Sequence, residues 1–240
     1  DGAVPGSAGM VRAAYAKAGG SEWTFTEWQT VDSGADYTTQ LKLRELSAGA
    51  TYNVRIEARG PDSKTNSDEL TTILTTAPAP SMVGDILFTV STCQDYYDRD
   101  DGDNGFKIYP AMESLQPNFY VNAGDILYYD HFAKDLALAW WQWQQMYSLP
   151  ALYKFHNAIP TYFMKDDHDT WMNDCYRGKV TRFMGDFTYE QGLTLFREEV
   201  PMGDKTYRTV RWGKDLQVWL VEGRDFRSPN SLPDGPEKTI

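Results

Sequence analysis

Cysteine and histidine are scarce in this chain of 240 residues, with two of the first and three of the second. Two cysteines, Cys93 and Cys175, exclude a disulfide framework of the small secreted kind and leave room for one bridge between them. Basic residues are short too: 23 Lys and Arg face 34 Asp and Glu, for a formal net charge of -11. That balance argues against a surface for nucleic acid or an anionic membrane, since either needs a basic patch. An anionic ligand would require positive charge from elsewhere, and bound cations would provide it. No apolar run reaches the roughly 18 residues of a transmembrane helix, and residues 1–20 lack a basic-then-apolar signal pattern. The sequence therefore reads as mature, processed or incomplete.

Aromatic residues are plentiful, at 14% with 8 Trp and 15 Tyr, enough to fill a core and line a cleft. After a Gly/Ala/Ser/Pro-rich lead-in without periodicity over Asp1 to Gly9, short alternating segments dominate Met10 to Thr76: Val11 to Tyr15, Thr38 to Leu43, and Thr51 to Ala58. In the last, Tyr52, Val54 and Ile56 share one face and Asn53, Arg55 and Glu57 the other, as in a half-buried strand. The Leu46 to Tyr52 approach looks like the tyrosine corner of an immunoglobulin or fibronectin type III sandwich. About 70 residues is short for a sandwich of about 100, so strands are expected to be missing upstream. Residues 77–82, with Pro78 and Pro80, read as a linker.

From residue 83 the pattern changes to strands that end in polar clusters and alternate with helices, the signature of an α/β layered domain. Ile86 to Val90 is a continuous apolar run, of the kind a strand buried on both faces shows, and it ends at Ser91-Thr92-Cys93-Gln94-Asp95. The run Phe119 to Val121 leads to Gly124-Asp125, with Tyr128 three residues further on. Ile159 to Met164 runs into Lys165-Asp166-Asp167-His168-Asp169. Helices are expected over Tyr109 to Gln116, over Phe132 to Phe155 with a break near Pro150, and over Tyr189 to Glu199. Thr206 to Trp212 and Leu216 to Val221 read as a hairpin. The acidic loop from Asp95 to Gly105 has Ile108 where a calcium loop would place its bidentate Glu, so it reads as solvated. His131 and His156 fall in the aromatic region and read as packed or surface residues.

Three strand ends thus carry metal-competent side chains, and strand ends at one sheet edge converge in space. Ser91-Thr92-Cys93-Gln94, Gly124-Asp125-Ile126-Leu127-Tyr128 and Asp166-Asp167-His168-Asp169 together resemble PhoD-type alkaline phosphatases of the calcineurin-like metallophosphatase superfamily. The resemblance implies an immunoglobulin-like β-sandwich over 1–76 and an α/β metallophosphatase domain over 83–240. It implies that Cys93 and Tyr128 bind Fe3+, that Asp125 is shared with a Ca2+ ion, and that Asp167 and Asn173 hold the latter. It also implies that His168 protonates the leaving alkoxide of a phosphate ester or orients the phosphate, and that Arg224 grips a phosphate oxygen. A secreted, periplasmic or cell-surface location follows from the same resemblance.

Lys165, Asp169 and Glu222-Gly223 depart from the family pattern, which has Trp, Glu and Asp-Thr there. The late histidine ligands of two-metal phosphatases have no counterpart after His168. The expectation is a chain that stops before its site is complete. The alternative is a binding or cell-surface module with a degenerate or truncated phosphatase domain.

Overall fold

The computed structural model describes residues 6–239. Its first sheet is antiparallel and built from β1 (Gly9–Lys17), β2 (Thr24–Phe25), β3 (Gln29–Val31), β4 (Thr51–Arg59) and β5 (Asp68–Thr75). β1 lies beside β4, β4 beside β5, and both β2 and β3 pair with the other edge of β1. All the strands described before residue 76 belong to this one sheet.

Alternation in β4 is real on its apolar side, where Tyr52 and Val54 are buried with Tyr15. The Tyr52 hydroxyl accepts the Ser47 N–H at 2.8 Å and so ties the preceding turn to β4. On the other side Glu57 is not solvated as the pattern suggested. It is 1% exposed and lies between Arg12 at 2.7 Å and Arg55 at 2.5 Å. Arg12 stacks in turn on Phe25 and Trp28. Burial opposes ionisation of Glu57, but the two guanidinium bonds outweigh it and hold the pKa below the usual value. Thr38 to Leu43 is not a strand. It is an irregular segment tied to the second region by its own polar groups, Gln40 Nε2 donating to the Arg197 and Val200 carbonyls at 2.6 and 3.0 Å.

The second region is centred on a parallel sheet in the order β6 (Phe88–Ser91), β7 (Phe119–Asn122), β8 (Thr161–Phe163). α1 (Ile108–Ser114) links the first two strands. α2 (Tyr129–Phe132), α3 (Leu136–Tyr147) and α4 (Pro150–Ala158) link the second and third. Asp135 caps α3 through the Leu138 N–H, and Pro150 opens α4 at a position where its missing donor costs nothing. α5 (Tyr189–Glu199) starts with a capping box from Thr188 and Gln191. β9 (Arg208–Trp212) and β10 (Leu216–Leu220) form the expected hairpin.

β7 is buried throughout because it is central. Phe119 and Val121 pack against Trp212 and Leu220 of the hairpin, while Tyr120 joins the helical core around Tyr109, Phe155 and Phe196. β6 corrects the expectation of a strand buried on both faces. It is the edge strand, and Phe88 and Val90 are 39% and 54% exposed. The two regions meet where Asn157 of α4 donates to the Thr71 carbonyl of β5 at 3.4 Å and Gln144 of α3 donates to Asp36 at 2.6 Å.

Candidate metal centre

Parallel pairing sets the site, since Ser91 at the end of β6 is in register with Asn122 at the end of β7. Both chains then turn through the left-handed region on residues that are not glycine: Cys93 at φ 59° and Asp125 at φ 51°. Such conformations cost about 1–3 kcal/mol each and persist only where neighbouring bonds hold them. Here the Cys93 N–H donates to the Gly124 carbonyl at 3.2 Å, and the Gln94 N–H to the Asp125 carbonyl at 2.8 Å. The Thr92 hydroxyl also donates to the Gly124 carbonyl, at 2.9 Å. Gly124, at φ 102°, permits the closest approach, because a Cβ there would lie 2.6 Å from the Asp166 backbone nitrogen. The loop after β8 is thereby pressed against the loop after β7.

Asp169 clips the two loops together. It is fully buried, and its carboxylate oxygens accept the Ile126 N–H at 2.9 Å and the Asp166 N–H at 3.0 Å. Burial pushes its carboxyl well above the usual range, with the Asp125 charge adding to the effect. The sequence offered Asp169 only as a replacement for Glu, whereas its length suits this double acceptor role.

With the loops so joined, Asp125, Asp167 and His168 offer ligand atoms within 4.8 Å of one another. The Cys93 thiol lies 3.5 Å from Asp125 Oδ2. The Tyr128 ring lies 4.4 Å from that of His168, and burial, then the charges of Asp125 and Cys93, push its phenol up. Asp125 Oδ1 is buried with no hydrogen-bond partner, and its carboxyl is pushed up by burial and then by Asp166. Carboxylates, a thiol, a phenol and an imidazole around an orphaned carboxylate oxygen fit a hard cation beside a softer thiolate contact. A cavity of about 470 Å3 opens beside the cluster, lined in part by Cys93, Tyr128, Asp95, Phe106 and Ile108.

His168 is oriented by a residue to which the motif reading gave no role. Its Nδ1–H donates to Asp130 Oδ1 at 2.8 Å, and the Asn173 N–H donates to Asp130 Oδ2 at 3.0 Å. Burial opposes charge on both partners, but their mutual hydrogen bond outweighs it, raising the pKa of His168 and lowering that of Asp130. The signal for Asp130 was present as a carboxylate in the first turn of α2, immediately after the Gly-Asp-x-x-Tyr stretch. Asn173 therefore reaches the site by its backbone. The residue is exposed, and its side-chain amide makes no hydrogen bond among the described residues.

Arg224 does arrive. Its Nε pairs with Asp166 at 2.5 Å and its Nη2 with Asp167 at 3.4 Å, while Nη1 is buried without a partner. Glu222 accepts the Arg224 N–H at 2.5 Å and so fixes the turn that aims it. Lys165 lies fully buried against Asp225, next to Arg224. The departures at 165 and 222 thus fall into one ion-paired support. Cys93 and Cys175 are free thiols, Cys175 being buried beneath the Asp167 carbonyl at 3.6 Å. The acidic loop spends carboxylates on its own backbone, Asp95 accepting from Tyr97 and Asp100 from Lys107. His131 pairs with Asp95 at 3.3 Å and stacks on Tyr128.

No protein-family model matches the sequence, and no curated protein aligns with it significantly. The fold does match solved structures. A structure of PhoD superimposes with a TM-score of 0.73 at 17% identity over 97% of this chain. A purple acid phosphatase, PPD1 from yellow lupin (Lupinus luteus) seeds, superimposes with a TM-score of 0.52 at 11% identity over 88%. The chain spans 48% of the first of these structures and 40% of the second. Its mixed α/β fold is therefore similar to the folds of PhoD and of this purple acid phosphatase.

Proposed function

We infer that the chain belongs to a metal-dependent phosphoric ester hydrolase acting on mono- or diesters. The observation that carries this reading is the convergence of Asp125, Asp167 and His168 within 4.8 Å, in a fold that PhoD shares. In this reading Cys93, Asp125 and Tyr128 would hold Fe3+, and Asp167 with Asp125 would hold a Ca2+ ion, for which Asn173, whose N–H is given to Asp130, would have to turn its exposed side chain inward. When bound, the cations supply positive charge to the phosphate oxygens and acidify the attacking water. On a chain of net charge -11, that positive charge is what admits an anionic ester.

The protein's own groups do the rest. Asp130 takes the Nδ1–H of His168, which leaves Nε2 to carry the proton handed to the departing alkoxide. Arg224, pinned by Asp166 and Asp167, keeps Nη1 for a phosphate oxygen. The cavity beside Cys93 and Tyr128 receives the alcohol portion. The division into an immunoglobulin-like support over 1–76, a linker over 77–82 and a catalytic region over 83–240 belongs to the same reading, as does export from the cell. Among the described residues no helix is long and apolar enough to cross a membrane.

The test is hydrolysis of p-nitrophenyl phosphate and of bis(p-nitrophenyl) phosphate by the chain reconstituted with iron and calcium. Turnover that is lost on chelation and in Asp125→Asn supports the reading. Turnover indifferent to both contradicts it.

A further inference from the structure

A second cavity, of about 650 Å3, lies where Asp36, Tyr37 and Thr38 meet the carboxyl ends of α3 and α5, and it contains none of the metal-site residues. Its lining includes Asp36, Gln144, Tyr147, His156 and Glu199, and no lysine or arginine. Two helices direct their partially negative ends here, since Gln144 and Tyr147 stand in the last turn of α3 and Glu199 is the last residue of α5. Glu199 Oε1 is buried without a hydrogen-bond partner. Burial, then the charges of Asp36 and Glu198, push its carboxyl up to about 8. A buried carboxyl in that condition lacks a counter-ion.

His156 is an independent witness. Its Nδ1 lies 3.0 Å from Thr161 Oγ1, and that hydroxyl donates to the Ile159 carbonyl at 3.1 Å. A hydroxyl has one proton to give, so Thr161 accepts from Nδ1–H and the bare lone pair of the ring is on Nε2. Burial pushes His156 down to about 4, so the ring is neutral near pH 7. Nε2 is shut off from solvent and has no partner. His156 Nε2 is an acceptor as it stands and Glu199 becomes one when its proton leaves, and each buried polar atom left unpaired costs about 1–3 kcal/mol.

A single metal ion does not meet this need. Among the described residues the one group of three ligand atoms within 4.8 Å is that of Asp125, Asp167 and His168, so Asp36, His156 and Glu199 do not close on a point. The volume is that of a small-molecule site. Tyr147, half-buried and stacked at 5.6 Å on the buried Trp143, also lines it, and an aromatic wall of this kind attracts a cation.

We propose that this cavity binds a small organic cation, a protonated amine with an apolar body, its N–H groups donating to Glu199 and to His156 Nε2 and its body resting on Tyr147. The ammonium supplies the missing counter-charge, and the proton held by Glu199 leaves to solvent. The charged and titratable groups around Glu199 are Asp36, Glu198, Tyr147 and His156.

Calorimetric titration of the chain near pH 8 with benzylamine hydrochloride, benzyl alcohol and magnesium chloride tests the proposal. Benzylammonium is expected to bind at least about tenfold more tightly than the neutral alcohol. Proton release should appear as a heat that depends on the buffer. Binding should weaken by about tenfold or more in Glu199→Gln and stay unchanged in Asp125→Asn. Equal affinity for the alcohol, no binding of either probe, or displacement of benzylammonium by magnesium in the Asp125→Asn chain would overturn it. The three-probe comparison is made on the wild type and decides the matter even where Glu199→Gln folds poorly.

Discussion

Asp130 and Asp169 show how single carboxylates set the site without being ligands. Replacing Asp130 by Asn leaves the His168 ring without its charged partner, so kcat should fall by roughly 100-fold while bound metal is unchanged. Parallel kinetics and elemental analysis check that split. Replacing Asp169 by Ala strands two buried N–H groups, those of Ile126 and Asp166, at a cost of about 2–5 kcal/mol. Urea unfolding of the variant measures it, and metal affinity should fall with it because the two loops are no longer clipped. At this scale the sequence pointed to metal-competent residue types that the fold brings near one another, since Cys93, Asp125, Tyr128, Asp167 and His168 each follow a strand-like run. It did not reveal their supports. Asp130, Asp166 and Lys165 act through partners tens of residues away, and only the folded chain brings those partners within reach.

Among the elements, the turn after β7 is the most demanding. Gly124→Ala adds a Cβ against the backbone of Asp166 at a φ of 102°, and neither clash can be relieved by rotating a side chain. The variant should lose metal binding and several kcal/mol of stability, roughly 2–4, in equilibrium denaturation. α4 carries a pH prediction. The unfolded chain protonates His156 near 6.5, the folded chain only near 4, so the unfolded state binds more protons between those values. Stability from this residue is therefore complete above about 6.5 and declines as pH falls toward about 4, by on the order of 3 kcal/mol. His156→Asn keeps a donor for Thr161 and does not titrate, so its urea midpoint should change less between pH 7 and pH 4. Element type was legible where period and caps agreed, as in α5 and the β9–β10 hairpin. It failed where tertiary position decided. The apolar run of β6 lies at a sheet edge, and Thr38 to Leu43 alternates yet spends its polar groups on α5.

At the scale of the whole molecule, an acidic chain gathers Asp125, Asp166, Asp167 and Asp169 around one buried point, with Arg224 and Lys165 as the nearest cations. Cations bound there relieve that repulsion in the folded state alone. Metal at about a hundredfold over its Kd should stabilise the chain by about 2.7 kcal/mol, and a thermal melt with and without chelator checks this. The most direct measurement of the central claim is elemental analysis with visible absorption, made on the reconstituted wild type and on Tyr128→Phe. About one iron per chain, with a tyrosinate-to-iron band that disappears in Tyr128→Phe, is the predicted result. A chain that retains no metal, or one whose visible band persists unchanged in Tyr128→Phe, would contradict the assignment.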